Sequence, residues 1–268
     1  MRLALVITTY ERPDALAAVL ASVKHQRKAP AEILVADDGS TPETRAVVRR
    51  HAPLAPAPLR WVSQPHEGFR LARLRNLAIA ATRADYLVFV DGDMLLHPQF
   101  VADHARFARR GCFTQGVRVL ADESLTRSLL ADPLRHVGPA SAGLGVLRRA
   151  YLLRSTVLAR ALGGVANRLI SLKGCNQGYW RDDLERVNGF NEQFVGWGPE
   201  DKEIAVRLGN AGVRRRSLLF GGIAVHLHHP PASRAALPAN LALLAAARRD
   251  GTIRCARGLA DHAVPPAG

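Results

Sequence analysis

Residues 86–93 read Tyr-Leu-Val-Phe-Val-Asp-Gly-Asp, an apolar run that ends in two carboxylates. A short, uninterrupted apolar run of this kind is typical of a strand that is buried on both faces, as in a parallel sheet. Such a strand carries Asp91 and Asp93 out of the core, and Gly92 lets the backbone approach a ligand closely. Carboxylate oxygens suit Mg²⁺ or Mn²⁺, which keep open positions for phosphate oxygens. The stretch therefore predicts an α/β fold with a cation site at a strand end.

Two earlier stretches repeat this pattern of an apolar run followed by polar residues. The run Leu3–Ile7 leads into Thr8-Thr9-Tyr10-Glu11. The run Ile33–Ala36 leads into Asp37-Asp38-Gly39-Ser40. Further strands are predicted at Leu59–Val62, Phe113–Leu120 and Ser217–Val225.

Predicted helices alternate with the early strands, at Pro13–Val23, from Pro42 through Arg50, and over about Leu71–Thr82. Thr41 is placed to cap the second of these helices. Alternation of strands and helices implies right-handed crossovers and a mainly parallel sheet. Ligands bind beyond the carboxyl ends of the strands in such sheets, so we expect the polar clusters to gather at one edge.

Length and composition indicate one large domain. The chain has 268 residues and 48% hydrophobic content, and apolar runs continue without a linker until about residue 229. No stretch reaches the roughly 18 apolar residues of a membrane span. The opening run Leu3–Ile7 is too short for the core of a signal peptide. Three cysteines without CxxC spacing indicate reduced thiols in a cytoplasmic protein, at Cys112, Cys175 and Cys255.

The formal net charge of +14 suits nucleic acid, an anionic membrane surface or an acidic substrate, and it does not choose among them. Binding of single-stranded nucleic acid relies on aromatic side chains interleaved with basic ones. Aromatic content is only 6%, and no such run occurs. We therefore expect no nucleic-acid partner.

A second acidic pair, Glu200-Asp201, opens a predicted helix behind Gly196-Trp197-Gly198-Pro199. Acids in a first turn stabilise the helix dipole, which is the purely structural explanation. An indole between two glycines is also a platform for a sugar ring, and a carboxylate beside it can take a hydroxyl proton. We therefore interpret Trp197 and Gly198 as acceptor-binding residues.

Three histidines follow the last predicted strand, at positions 226, 228 and 229. For His228 and His229 a structural or solvated role is the preferred interpretation. His226 is predicted to complete an octahedral cation site near the acidic edge, and its imidazole favours Mn²⁺. The choice between His226 and His228 stays open. Asp93 has its own alternative role, as the cap of the following helix in a solvated turn.

Together these residues resemble a family 2 glycosyltransferase of the GT-A fold, with a galactosyltransferase-like C-terminal motif similar to bacterial chondroitin-type polymerases. The resemblance runs from Leu3 to about Pro230 and weakens between residues 121 and 170. It rests on these segments: Thr8-Thr9-Tyr10, Asp37-Asp38-Gly39-Ser40, Gly68–Asn76, Asp91-Gly92-Asp93, Gly174-Cys175-Asn176, Val187–Glu192 and Trp197–Asp201.

The resemblance implies a Rossmann-like sheet flanked by helices in one catalytic domain, residues 1–230. Residues 1–120 would form the nucleotide-binding half, 171–230 the acceptor and catalytic half, and 121–170 a variable basic insert. Beyond the resemblance, the sequence pattern predicts that residues 231–268 are a tail that packs as a helix over Leu241–Ala247 and then frays.

The same resemblance implies roles for individual residues. Asp201 would be the catalytic base, Glu200 a ligand of sugar hydroxyls, and Asp93 and His226 the ligands of Mn²⁺ or Mg²⁺. The implied donor-binding residues are Thr8, Tyr10, Glu11, Asp37, Asp38, Arg75, Asp91, Gly92, Gly174 and Asn176.

The implied reaction is inverting, metal-dependent transfer of a hexose or N-acetylhexosamine from a UDP-sugar to a glycan or lipid-linked acceptor. In the family this serves bacterial surface polysaccharide or lipopolysaccharide synthesis, here at the cytoplasmic face of the membrane. A sugar-nucleotide nucleotidyltransferase is the enzymatic alternative, although the glycine-rich, lysine-containing phosphate loop typical of that class does not occur at residues 8–12.

The basic insert carries two further interpretations. Within residues 147–168, five arginines alternate with apolar residues, at Arg148, Arg149, Arg154, Arg160 and Arg168. A helix here would be basic and partly amphipathic, the composition of a membrane-surface segment that could also recruit anionic lipid-linked acceptors. An ordinary helix covering the acceptor cleft explains the same pattern.

Overall fold

A computed structural model of the chain describes residues 1–166 and 172–262. The strands are β1 (Leu3–Thr9), β2 (Glu32–Asp37), β3 (Leu59–Ser63), β4 (Tyr86–Asp91), β5 (Met94–Leu96), β6 (Cys112–Gln115), β7 (Val117–Leu120), β8 (Val165–Ala166), β9 (Asn176–Trp180), β10 (Arg214–Ser217) and β11 (Ile223–His226). The helices are α1 (Pro13–Lys24), α2 (Pro42–His51), α3 (Leu71–Ala80), α4 (Phe100–Phe107), α5 (Glu123–Ala131), α6 (Thr156–Leu162), α7 (Arg181–Arg186), α8 (Glu200–Asn210) and α9 (Leu237–Arg249).

The strands form two sheets. The large sheet has the order β3-β2-β1-β4-β9-β6-β10-β8, and the small sheet has the order β5-β11-β7. In the large sheet β1 pairs in parallel with both β2 and β4, while β9 runs antiparallel to β4 and β6. The predicted α/β class and the mainly parallel character of the sheet are confirmed.

Helices cover both faces of the large sheet because the side chains of its strands alternate between two apolar clusters. Along β1, Leu5 and Ile7 join a cluster that contains Leu16 and Val19 of α1. Ala4 and Val6 of the same strand join the opposite cluster, with side chains from α3 and α8. Residues that face two helical layers must be apolar throughout, which explains the unbroken apolar runs in the sequence.

The polar clusters meet at one edge, as the strand pattern predicts. In the parallel register Thr8 lies opposite Asp91, and Thr9 lies opposite Asp37. The amide of Gly92 donates to the Thr8 carbonyl oxygen at 2.7 Å. A side chain at Gly92 would come within 3.0 Å of Thr8 and Thr9 atoms, so glycine permits this close approach.

Two predicted strands are each divided in the structure, and both predictions of a single strand are wrong. The segment Phe113–Leu120 breaks at Gly116, where the chain passes from the large sheet into the small one. A Cβ at Gly116 would collide with the Asn176 side chain. The predicted strand Ser217–Val225 instead begins at the last residue of β10 and reaches β11 only at Ile223, with Gly222 (φ +53°) just before that strand. Apolar composition alone does not reveal such a change of sheet.

Up to residue 166, the insert forms several short elements and not the continuous helix considered for residues 147–168. A 3₁₀ helix over Val146–Leu152 is followed by the short α6 and by β8. Arg154 fixes the segment to the domain, because its guanidinium donates to both carboxylate oxygens of the buried Asp103, at 3.0 and 2.7 Å. Arg154 is therefore structural, while Arg168 lies outside the described residues.

The C-terminal segment packs more extensively than predicted. Helix α9 contacts α8, in agreement with the predicted tail helix. The expectation of fraying beyond it is wrong for residues 250–262. Leu259 and Ala260 donate backbone hydrogen bonds to Asn188, and Cys255 is buried. Within the described ranges, no helix combines the length and the apolar character needed to cross a bilayer.

Candidate active site

Asp93, His226 and His229 form a compact cluster at the acidic edge. One Asp93 carboxylate oxygen lies 3.2 Å from His229 Nε2 and 3.6 Å from His226 Nε2. One ligand atom from each of the three residues lies within 4.8 Å of the others. Antiparallel pairing of β5 with β11, which sets His226 opposite Met94, brings these distant parts of the chain together.

The electrostatics of this cluster fit a divalent cation. Asp93 Oδ1 is buried and has no hydrogen-bond partner among the described residues. Burial raises the pKa of Asp93 to about 7, and the neighbouring Asp91 charge adds to the effect. Burial also lowers the pKa of His226 to about 3, which keeps the imidazole neutral and able to act as a ligand. A cation would relieve the repulsion between the carboxylates and give the unpartnered oxygen a ligand bond.

The structure favours His226 over His228 for this cluster and adds His229. The His228 side chain is directed to α5, where its Nδ1 lies 3.9 Å from a Glu123 oxygen. His229 lies in the cluster with Asp93 and His226, a position that does not favour the purely structural or solvated role preferred from the sequence. The chain leaves the β11 strand after His226, so strand alternation does not predict which later histidine turns back to the site.

Arg75 connects the two acidic pairs. Its guanidinium donates to Glu200 Oε1 at 3.1 Å and lies 3.6 Å from Asp91 Oδ1. It also donates to the Gly174 carbonyl oxygen at 3.4 Å. Arg75 is 1% exposed and fixes the positions of Glu200 and Asp91. Its role in donor binding stays a prediction.

Asp201 lies beside this network at the start of α8. Burial raises the pKa of Asp201, while Arg75 and the backbone amides of Lys202 and Gly174 act in the opposite direction. Burial and the Asp201 charge raise the pKa of Glu200 to about 7. A Cβ at Gly174 would come within 3.2 Å of Asp201 and 3.0 Å of Arg75, so a glycine keeps the two charged groups adjacent.

The tryptophan loop is held by a residue that the sequence does not single out. Asn240 of α9 donates to the carbonyl oxygens of Val195 and Trp197 at 3.0 and 3.1 Å. A Cβ at Gly198 would collide with Asn240, so Gly198 serves packing in this structure. The Trp197 indole is 39% exposed and lies 5.2 Å from the Arg234 guanidinium. Part of the indole is therefore open to solvent, three residues before the first residue of α8.

At the ends of β1 and β2, the exposed group is Tyr10. It stacks on His66, with ring centroids 4.2 Å apart. Asp37 accepts hydrogen bonds from its own turn, from Ser40 and from the Gly39 amide, and is thereby buried. Asp38 is buried as well and accepts a hydrogen bond from Gln64.

Two other residues that are predicted to bind the sugar donor make hydrogen bonds within the protein at this edge of the sheet. The Thr8 hydroxyl donates to Asp91 Oδ1 at 3.1 Å. The Glu11 carboxylate accepts hydrogen bonds from the Thr41 amide and hydroxyl, at 2.7 and 3.0 Å. Thr41 therefore joins two loops instead of capping α2 with its side chain, for which the structure shows no hydrogen bond.

The position of Asn176 contradicts its predicted role. Its side chain is fully buried, and its Oδ1 lies 2.9 Å from His104 Nε2. Its Nδ2 donates to the carbonyl oxygens of Val117 and Gly222 at 3.0 and 2.7 Å. Asn176 therefore joins the two sheets and does not belong to the predicted donor site.

The structure is an α/β protein with an open, mostly parallel sheet, in which one buried arginine links both acidic pairs. The chain belongs to glycosyl transferase family 2, whose sequence model matches residues 4–147. A second model, the N-terminal domain of galactosyltransferase, matches residues 161–230. Membership in this family favours the glycosyltransferase interpretation over the nucleotidyltransferase that the sequence leaves open.

Similar proteins agree with this assignment. The chain is 29% identical over 245 residues to chondroitin synthase of Escherichia coli, which covers 85% of this chain but only 35% of the synthase. Among solved structures, S. aureus TarS 1–349 in complex with UDP-GlcNAc has a TM-score of 0.64 at 15% identity and covers 97% of this chain and 69% of that one. The mannosyltransferase from Pyrobaculum calidifontis in complex with GDP-Man and Mn²⁺ has a TM-score of 0.54 at 20% identity and covers 84% and 56% of the two chains. These likenesses confirm the GT-A fold.

Proposed function

We propose that the protein is an inverting, metal-dependent glycosyltransferase that uses a UDP-hexose or UDP-N-acetylhexosamine. The observation that carries the proposal is the bridge from Asp91 through Arg75 to Glu200. This bridge supports the proposal because it links Asp91, next to the cluster of Asp93, His226 and His229, to the buried carboxylate of Glu200. In this scheme residues 1–230 are the catalytic domain, with 1–120 and 171–230 as its nucleotide-binding and acceptor halves, and residues 231–268 are the tail.

The proposed step is a single displacement at the anomeric carbon. The acceptor oxygen forms a bond to that carbon while its proton passes to the Asp201 carboxylate. The bond from the anomeric carbon to the β-phosphate oxygen breaks, and its electron pair stays on the departing diphosphate. Asp93, His226 and His229 would hold Mn²⁺ or Mg²⁺, which supplies Lewis-acid stabilisation of that diphosphate. Glu200, fixed by Arg75, is placed to accept hydrogen bonds from sugar hydroxyls.

The residues at this edge of the sheet favour a sugar donor that contains a planar nucleotide base. Tyr10 is an exposed aromatic residue there, and its ring stacks on His66. S. aureus TarS has been solved with UDP-GlcNAc, which favours a uridine donor, while the mannosyltransferase complex holds GDP-Man. Because chondroitin synthase is a relative, we propose a glycan or lipid-linked acceptor in bacterial surface polysaccharide or lipopolysaccharide synthesis.

A panel of nucleotide sugars tests the proposed reaction. The purified protein is incubated with UDP-, GDP-, dTDP- and CMP-sugars, with Mn²⁺, with Mg²⁺ and with a chelator. We expect slow hydrolysis and thermal stabilisation with UDP-sugars, only when a cation is present. A preference for another nucleotide would overturn the uridine assignment, and equal activity in the chelator would overturn the metal dependence.

The carboxylate pair predicts a pH dependence. Because burial raises the pKa of Asp201 and brings that of Glu200 to about 7, the pair takes up a proton as the pH falls through neutrality. A protonated base cannot accept the acceptor proton, so kcat/KM should fall about tenfold per pH unit below this point. The apparent pKa belongs to the pair. Profiles from pH 5 to 9 in saturating Mn²⁺ test this, and a kcat/KM that stays constant from pH 7 down to pH 5 would contradict it.

We also propose that α6 contacts an anionic membrane surface on the cytoplasmic side. Its buried side chain is Ala159, while Val157, Leu158 and Leu162 are 73%, 39% and 54% exposed. At about 100° per residue these three occupy an arc of roughly 140°, so the apolar face points to solvent. Arg160 is exposed on the same helix. An outward apolar face with basic flanks is the composition of a membrane-surface helix.

Vesicle flotation tests the membrane contact. Wild type should float with phosphatidylglycerol vesicles and much less with phosphatidylcholine. Replacing Arg148 and Arg160 by Gln should weaken anionic binding by about tenfold or more, since each basic residue near the surface contributes about 1 kcal/mol. Arg154 stays unchanged because it holds Asp103.

The matched control replaces Arg49 and Arg50 on α2, which are exposed and lie toward the opposite end of the large sheet from β8. This pair of changes removes the same charge and should leave flotation nearly unchanged. Equal losses in both variants would indicate general charge attraction and reject α6 as the contact. Replacing Val157 and Leu162 by Ser should also reduce binding to the anionic vesicles.

A further inference from the structure

Arg118 lies on the same face of the small sheet as the cation cluster. It stands opposite Ala224 of β11 in the parallel register, and His226 is two residues further along that strand. Side chains two residues apart on a strand share a face, so Arg118 and His226 project to the same side. Arg118 also lowers the pKa values of both Asp93 and His226, which places it within electrostatic reach of the cluster.

This guanidinium makes no salt bridge with any residue in the described ranges. Its hydrogen-bond contact is with the Cys175 sulfur, at 3.7 Å from Nη1. Burial raises the pKa of the Cys175 thiol to about 12, so the sulfur carries no balancing charge at neutral pH. Charged groups that are partly removed from water are normally paired. The lack of an anionic partner among the described residues therefore indicates that Arg118 binds an anionic ligand.

A second cation stands next to this position. The Lys173 amide donates to Gln115 Oε1 at 3.2 Å, and its carbonyl oxygen accepts from Gln115 Nε2 at 3.0 Å. The backbone is thereby fixed, while the side chain is exposed and makes no salt bridge within the described chain. Partial burial and Arg118 lower the pKa of Lys173, and Asp201 acts in the opposite direction. Lys173 is therefore influenced by both Arg118 and the carboxylate pair.

We propose that Arg118 binds the β-phosphate of the donor diphosphate, with Lys173 as a weaker second ligand on the side of Asp201. This inference rests on the proposed function and names a new contact for its leaving group. As the bond from the anomeric carbon to the β-phosphate oxygen breaks, the electron pair stays on that oxygen. A planar guanidinium can donate two parallel hydrogen bonds to phosphate oxygens, and it does so more strongly as their charge grows.

Calorimetry with three probes in Mn²⁺ tests the assignment: UDP, UMP and inorganic pyrophosphate. Arg118→Gln should weaken UDP and pyrophosphate binding by about tenfold to a hundredfold, the effect of losing a charged hydrogen bond. UMP lacks the β-phosphate, so its affinity should change by about twofold or less. Arg118→Lys should fall between, and Lys173→Gln should cost less than Arg118→Gln because an exposed cation is screened by water.

Arg49→Gln is the matched control, since it removes one exposed arginine from α2 and should change no affinity. Thermal melts of Arg118→Gln should stay at the wild-type level. Its Mn²⁺ binding without nucleotide should be no weaker than that of wild type, because the variant removes a positive charge near the cluster. Unchanged UDP and pyrophosphate affinities in that variant would overturn the assignment. If wild type bound pyrophosphate but not UDP, the assignment of a uridine donor would be wrong. The role of Arg118 would then be tested by the pyrophosphate affinity of Arg118→Gln alone. Binding of no diphosphate by wild type would overturn both proposals.

Discussion

Asp201→Asn is expected to lower turnover by about 10² or more, the usual contribution of a positioned general base. The amide keeps the shape of the carboxylate and its place beside Gly174, but it cannot accept the acceptor proton. Donor affinity should barely change, because the cation cluster and Tyr10 are untouched. Initial rates with a saturating UDP-sugar and acceptor, together with the Kd for UDP in Mn²⁺, measure the two effects separately.

The control for this variant is Asp182→Asn. Asp182 also lies in the first turn of a helix, α7, and pairs with Arg110 at an exposed position. The same chemical change there should leave turnover within about twofold, because an exposed ion pair contributes little. Near-normal turnover of Asp201→Asn would rule out its role as base. A loss of UDP affinity equal to the loss of turnover would instead indicate a positioning role.

The location of the site follows from local sequence patterns. Each apolar run fixes a buried strand, and parallel neighbours end at the same edge, so Thr8, Asp37 and Asp91 had to meet. Glu200 and Asp201 are equally predictable, since a helix start behind a glycine-rich loop is marked by composition. These features depend on residues adjacent in the chain.

The internal roles within the site depend on contacts between distant residues, and the sequence does not predict them. Arg75 is buried between Asp91 and Glu200, two residues far from it in the chain, and no local pattern predicts these contacts. Asn176 is buried where the chain changes sheets at Gly116, a change that no periodicity marks. His229 lies three residues beyond His226, and only the turn after β11 returns it to the cluster.

Asp93→Ala is expected to abolish Mn²⁺-dependent UDP binding while leaving the fold intact. The substitution removes the carboxylate whose one oxygen is unpartnered and whose other oxygen faces both histidines. Because the pKa of Asp93 is raised to about 7, its ionisation opposes folding as the pH rises from about 4 to 7. Above pH 7, metal-free Asp93→Ala should therefore melt no lower than wild type. Calorimetry and melting with and without Mn²⁺ measure both effects.

The three histidines supply the controls for this prediction. His226→Ala and His229→Ala should each weaken Mn²⁺ binding, whereas His228→Ala should not, because that side chain faces Glu123. In wild type, added Mn²⁺ should raise the melting temperature, since a ligand that binds only the folded state stabilises it. Unchanged Mn²⁺-dependent UDP affinity in Asp93→Ala would show that the cation binds elsewhere. Loss of binding in His228→Ala with retention in His229→Ala would reassign the third ligand.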